Sequence, residues 1–119
     1  MTNAEFNTIF RERTLQFVVR VFRFLETLPS GMATRIISFQ LGKAASSVGA
    51  NFRAFCRGRS GKEKFAKICI AVEEADESEY WLQLIKELNL GDEKERSFLL
   101  NEIDEIVRVV VSIKNSLKE

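Results

Sequence analysis

Apolar residues along the chain recur at helical spacing in four blocks, separated by short polar breaks. In the first block Phe6, Phe10, Phe17, Val21, Leu25 and Leu28 follow one another at intervals of three, four or seven. That period places them on one face of a helix over about residues 4–28. Ile37, Leu41, Ala44, Ala45, Val48, Phe52 and Phe55 predict a second helix over about 32–57. Phe65, Ile68, Val72, Ala75, Leu82, Ile85 and Leu88 predict a third over about 61–88. Leu99, Ile103, Ile106, Val110, Ile113 and Leu117 predict a fourth over about 93–117. Nothing alternates as a strand does. Residues 1–119 therefore read as one all-α domain. Short connections force neighbours antiparallel, so the expected architecture is an up-down-up-down four-helix bundle.

The breaks carry start and stop signals. Thr2 precedes Glu5, Ser60 precedes Glu63 and Asp92 precedes Glu95. Each pair resembles a capping box or its Asp variant, in which side-chain oxygens satisfy free N–H groups at a helix start. Pro29-Ser30-Gly31, the segment Gly58 to Gly61, and Asn89-Leu90-Gly91 are the corresponding stops.

Apolar positions outnumber what one core needs. Ile9, Leu15, Val18, Val19, Phe22 and Phe24 lie outside the main stripe of the first helix. Val107, Val109, Val110 and Val111 crowd β-branched residues, poor helix formers, onto several sides of the fourth. Both features predict burial against a second copy, hence a homo-oligomer. The small-residue run Gly42, Ala44, Ala45, Ser46, Ser47, Gly49 and Ala50 predicts close helix approach. It lacks the glycine and lysine spacing of a phosphate-cradling loop. Asn51 among these residues is expected to bond a neighbouring helix or backbone and fix register; unpaired, it would cost about 1–3 kcal/mol.

A net charge of +1 conceals a strong asymmetry. Residues 1–67 hold 12 Lys/Arg against 4 Asp/Glu, and residues 68–119 hold 6 against 13. Arg53, Arg57, Arg59, Lys62, Lys64 and Lys67 surround the tip of the hairpin between the second and third helices. Arg20 and Arg23 are auxiliary candidates. The acidic patch Glu73, Glu74, Asp76, Glu77 and Glu79 begins farther from that turn, with Asp76 level with Lys43, and leaves the arginines uncompensated. Guanidinium forks and ammonium groups suit phosphate oxygens, so RNA or DNA is one expected partner. The other reading is a solvated tip, or one that pairs with acids of another subunit or of a protein partner.

Candidate chemistry narrows the picture further. The chain has no histidine, the commonest general base and metal ligand. Glu73, Glu77 and Tyr80 share a helix face, but no Glu-x-x-His motif accompanies them. No catalytic residue, metal or cofactor is expected, and the protein reads as non-enzymatic. Cys56 and Cys69 would differ in height by about 8 Å on antiparallel helices, beyond disulfide reach. Reduced thiols, no secretory signal and no long apolar run make the expected setting cytoplasmic, with no membrane partner.

The residues Gln40-Leu41, Ala44-Ala45-Ser46-Ser47-Val48-Gly49-Ala50-Asn51, Arg57-Gly58-Arg59-Ser60, Phe65, Glu73 to Glu79 and Tyr80-Trp81-Leu82 resemble the bacterial four helix bundle protein family. That family includes proteins encoded in intervening sequences of large-subunit ribosomal RNA genes and the accessory protein of diversity-generating retroelements. The resemblance runs from about Arg13 to Leu88 and takes in Leu28-Pro29. It implies an antiparallel four-helix bundle assembling as a homopentamer. For the retroelement branch it also implies nucleic-acid binding through a basic surface, beside a reverse transcriptase. Where many relatives carry an acid and a glycine shortly after Asn51, this chain has Phe52-Arg53-Ala54-Phe55-Cys56. The expected function is an oligomeric nucleic-acid-binding or accessory scaffold module. The alternative is a structural protein–protein interaction module that binds no nucleic acid.

Overall fold

The computed structural model describes residues 1–117, folded as four helices: α1 (Asn3–Leu25), α2 (Met32–Cys56), α3 (Gly61–Glu87) and α4 (Glu93–Leu117). They pack round one core, α2 and α3 most closely and α1 and α4 most loosely. The particle measures 44 × 25 × 19 Å, about one long helix in height. No helix among the described residues is long and apolar enough to cross a membrane.

The predicted stripes form the core. Ile37, Leu41, Ala44, Ala45, Val48, Phe52 and Phe55 of α2 are all buried, as are Leu99, Ile103, Ile106 and Val110 of α4. Phe52 meets Phe10 edge to face with ring centroids 4.8 Å apart, the arrangement the ring quadrupoles favour. Leu88 and Leu117, at the ends of their predicted stripes, are instead 46% and 38% exposed. Phe24 joins the core rather than lying outside it. The valine run also finds an intramolecular home: Val110 is buried, and Val107 and Val109 pack against the core. Burial against their own core already accounts for these valines in part, so they do not by themselves demand a second subunit.

Helix ends follow local chemistry. Thr2 and Glu5 form the full capping box, with bonds of 3.0 and 2.7 Å. Ser60 caps Glu63 N–H at 3.0 Å, but the Glu63 carboxylate accepts from the Arg59 N–H rather than that of Ser60. Asp92 caps Glu95 N–H at 2.9 Å, and the Glu95 carboxylate is drawn elsewhere. α1 stops three residues short of Leu28, because Pro29 biases the residue before it away from helical dihedrals. α3 closes in a Schellman motif. Asn89 is left-handed (φ 54°), its N–H donates to the Lys86 carbonyl at 2.9 Å, and the Leu90 N–H donates to Ile85 at 3.1 Å. Gly91 is also left-handed (φ 77°), and a Cβ there would sit 2.6 Å from the Phe24 ring.

The small residues of α2 serve side chains more than backbones. A Cβ on Gly42 would lie 2.9 Å from the Phe22 ring, and one on Gly49 would touch Thr14 at 3.4 Å. Asn51 bonds within its own helix, to the Ser47 carbonyl and hydroxyl at 2.9 Å each, so it does not set the register between helices. Both cysteines are free.

Phe52→Ala is expected to cost about 3–5 kcal/mol of unfolding free energy in urea or guanidinium titrations, since it empties the aromatic centre of the core. Gly91→Ala is expected to cost about 1–3 kcal/mol, from strain at positive φ together with the Phe24 clash; an unchanged denaturation midpoint would contradict that reading.

Candidate nucleic-acid interface

The basic tip is built by the end of α2, the turn at Gly58 to Gly61, and the start of α3. Arg53, Arg57, Arg59 and Lys62 are exposed there, and among the described residues none of them is in an ion pair. Lys67 is half-buried one turn farther along α3. Lys64 points inward: its ammonium donates to the Phe55 carbonyl at 3.1 Å and lies 5.0 Å from the Phe55 ring. It thus caps the carbonyl end of α2, where a cation also complements the helix dipole. Gly58 makes room for this, since a Cβ there would meet Lys64 Cγ at 2.6 Å.

Because Phe10 packs on Phe52, the start of α1 runs beside the end of α2 and brings Arg11 to the same place. Arg11, Arg53 and Arg57 line an open groove of about 830 Å³ between α1 and α2. Ser46, Gly49 and Ala50 form its small-residue floor, and Leu15 and Val18 continue it toward the other end. Glu12 also lines the groove but accepts a bond from Gln16 at 3.0 Å. Burial pushes the nearby Cys56 thiol up, while Arg11, Lys64 and Arg57 pull it back. Arg11 was not singled out from sequence; the pairing of Phe10 with Phe52 was the missing signal.

Arg20 and Arg23 lie elsewhere. They line a separate shallow pocket with Gln16, Val19 and Glu95, at the end where α4 begins. Arg20 grips Glu95 with a two-pronged fork at 2.6 and 3.0 Å and stacks on Phe98 with its guanidinium carbon 3.5 Å from the ring centre. Arg13 repeats the motif seven residues earlier, with bonds of 2.7 and 2.8 Å to Glu102 and a third of 2.6 Å to Glu105. The hydrogen bonds it donates to Glu102 hold the Arg13 guanidinium well above its ordinary range, against the pull of burial. The seven-residue step from Arg13 to Arg20 thus matches the step back from Glu102 to Glu95. A ladder of forks joins Arg13 and Arg20 of α1 to Glu95, Glu102 and Glu105 of α4, and it pairs a small part of the charge asymmetry across the bundle.

The acidic face of α3 is separate from the tip. Burial, then the Asp104 and Asp76 carboxylates, push Glu79 up. Glu77 accepts from the Trp81 indole at 3.1 Å, and Tyr80 stands exposed against the edge of the Trp81 ring. Among the described residues no group of three or more Cys, Asp or Glu is arranged to hold a metal ion.

An all-α fold of four packed helices, with a fork-tied α1/α4 seam and an unpaired basic tip, defines a helix-bundle protein with an electrostatic surface as its most distinctive site. The 23S rRNA-intervening sequence protein family matches residues 7–112, and the chain belongs to that family. Among solved structures it is similar to a protein of unknown function from the S23 ribosomal protein family of Bacteroides thetaiotaomicron. The two are 26% identical with a TM-score of 0.77, over 92% of this chain and 97% of that one. Among curated proteins no match was found.

Glu102→Ala is expected to lower stability by about 1 kcal/mol at low ionic strength, because it frees a partly exposed guanidinium fork. The loss should shrink as salt is added. Unfolding titrations at two salt concentrations measure both effects, and a loss independent of salt would exclude an electrostatic origin.

Proposed function

We propose that the chain is a non-enzymatic cytoplasmic module that assembles as a homopentamer and binds nucleic acid through the α2–α3 tip. The observation that carries this reading is the set of exposed, unpaired cations Arg53, Arg57, Arg59 and Lys62, with Arg11 alongside. Nearby arginines are forked to carboxylates, so these side chains stand out as uncommitted charge. Lys67 adds to the same rim, whereas Lys64, Arg20 and Arg23 take no direct part. Several copies in a ring would multiply the phosphate contacts. Such binding is largely independent of sequence and falls steeply with salt. The family's name makes RNA the first ligand to try.

The rival reading is a protein–protein interaction module. It is favoured by the apolar side chains left exposed on α1 and α2, among them Leu15, Phe22, Ile36 and Phe39. Fluorescence polarisation with labelled single- and double-stranded RNA and DNA separates the two. Replacing Arg53, Arg57 and Arg59 together by Ala is expected to weaken binding by about 10-fold or more at low salt, and to flatten the log–log salt slope by about 2–3. Binding that survives the triple substitution, or no binding at low salt by the native chain, would sink the nucleic-acid reading and leave the interaction module.

A further inference from the structure

The exposed face of α1 and α2 is graded from end to end. Along α2 the outward residues recur every three or four positions as Arg57, Arg53, Ala50, Ser46, Lys43, Phe39, Ile36 and Met32. Starting from the tip, this face is therefore basic, then small up to Lys43, then mostly apolar, with Arg35 as the one cation among Phe39, Ile36 and Met32. Phe22 joins the apolar part from α1, seated over Gly42. Phe39 and Met32 are 67% and 68% exposed, more than any core-forming role allows.

The outward face of α3 has its own gradient. Starting from the same tip it runs Lys62, Glu63, Ala66, Glu73, Glu77, Tyr80 and, at the far end, Glu87 and Leu88, with Tyr80 58% exposed and Leu88 46%. Heights follow from the helical rise. Lys43 lies about 23 Å from the tip, between Glu73 at about 20 Å and Glu77 at about 26 Å. Phe39, Ile36 and Met32 lie about 30–40 Å from the tip, and Tyr80 and Leu88 about 31–43 Å. Two bundles set side by side with their tips at the same end thus bring cation to carboxylate and apolar to apolar. A two-fold pairing of the α1/α2 face with itself satisfies only the apolar side chains. It brings Lys43 no carboxylate beyond the Glu74 of its own chain and leaves Tyr80 in water.

We propose that the α1/α2 face of one copy receives the α3 face of the next, Lys43 set between the partner's Glu73 and Glu77 and Phe39 set against the partner's Tyr80. This rests on the reading that the chain self-associates, and adds which surfaces meet and in which direction. The two surfaces differ, so the contact is heterologous, and it builds a ring where the rotation between parallel copies closes. Every tip then falls on one rim. Arg53, Arg57 and Arg59 stay outside the contact, since the level they occupy on the neighbouring α3 holds Lys62, Ala66 and a single acid, Glu63, whose carboxylate already accepts the Arg59 N–H of its own chain.

The test uses the full chain with Cys56→Ser and Cys69→Ser, checked for native helicity. Phe39→Cys and Tyr80→Cys are introduced in separate chains, one of them carrying a mass tag, then mixed and treated with a short bismaleimide. Cross-links between the two different chains are expected. Links confined to identical chains, or none, would overturn the proposal. In the otherwise native chain, Lys43→Glu should lower the assembled mass in light scattering. Mixing it with a Glu73→Lys, Glu77→Lys chain should restore heterotypic pairs; failure of that rescue also counts against the proposal. RNA polarisation on the assembled native chain is read separately. Rings that form but bind no RNA uphold this interface and remove the nucleic-acid reading, whereas RNA binding by a chain that stays monomeric does the reverse.

Discussion

The closing contact between the first and last helices is the constraint on which the arrangement of charge depends. α1 and α4 are far apart in sequence and pack more loosely than any other neighbouring pair. What joins their surfaces is two guanidinium–carboxylate forks, Arg13 with Glu102 and Arg20 with Glu95, seven residues apart on each helix. Forks of this kind are directional: a slip of one turn would separate both at once. Their energies are modest because they are partly exposed. Their effect is to select a register that the apolar core then locks. In doing so they engage Arg13 and Arg20 of α1 and leave Arg11 and the cations of the tip uncommitted.

The helices and most of the core were legible because periodicity is a property of the chain itself. Ile37, Leu41, Val48, Ile103 and Ile106 could be assigned by spacing alone, and all are fully or almost fully buried. The errors arose where two parts of the chain compete for one group. Glu95 looked like the return half of a capping box, yet Arg20 takes its carboxylate. Glu63 looked the same, yet its carboxylate shifts by one residue to Arg59 N–H. Lys64 counted as one more tip cation, but the carbonyls at the end of α2 claim its ammonium. Arg96 belongs to no sequence pattern, yet it is buried and its guanidinium ties the α3–α4 turn by donating to the Leu90 carbonyl at 3.0 Å. In each case the deciding partner lies on another element or across a turn.

The candidate site shows the same division. That cations cluster near Gly58 to Gly61 is visible in the linear order. Which of them face water is not, because it depends on local carbonyls and on distant carboxylates. The groove that adds Arg11 exists only because Phe10 packs on Phe52. The surface is thus defined by subtraction: packing and pairing remove some cations and add one from another helix.

The two interhelical turns that flank α3 differ in how much change they tolerate. At the α3–α4 end, Asn89 and Gly91 both hold left-handed backbone, and the Phe24 ring fills the space a side chain on Gly91 would need. At the α2–α3 end, Gly58 is confined by Lys64, but nothing lies within 4 Å of a Cβ placed on Gly61. Variation is therefore cheap at one pole of the molecule and costly at the other. A substitution at Gly61 can thus change the charge of the tip while the turn at Asn89 and Gly91 keeps its own geometry.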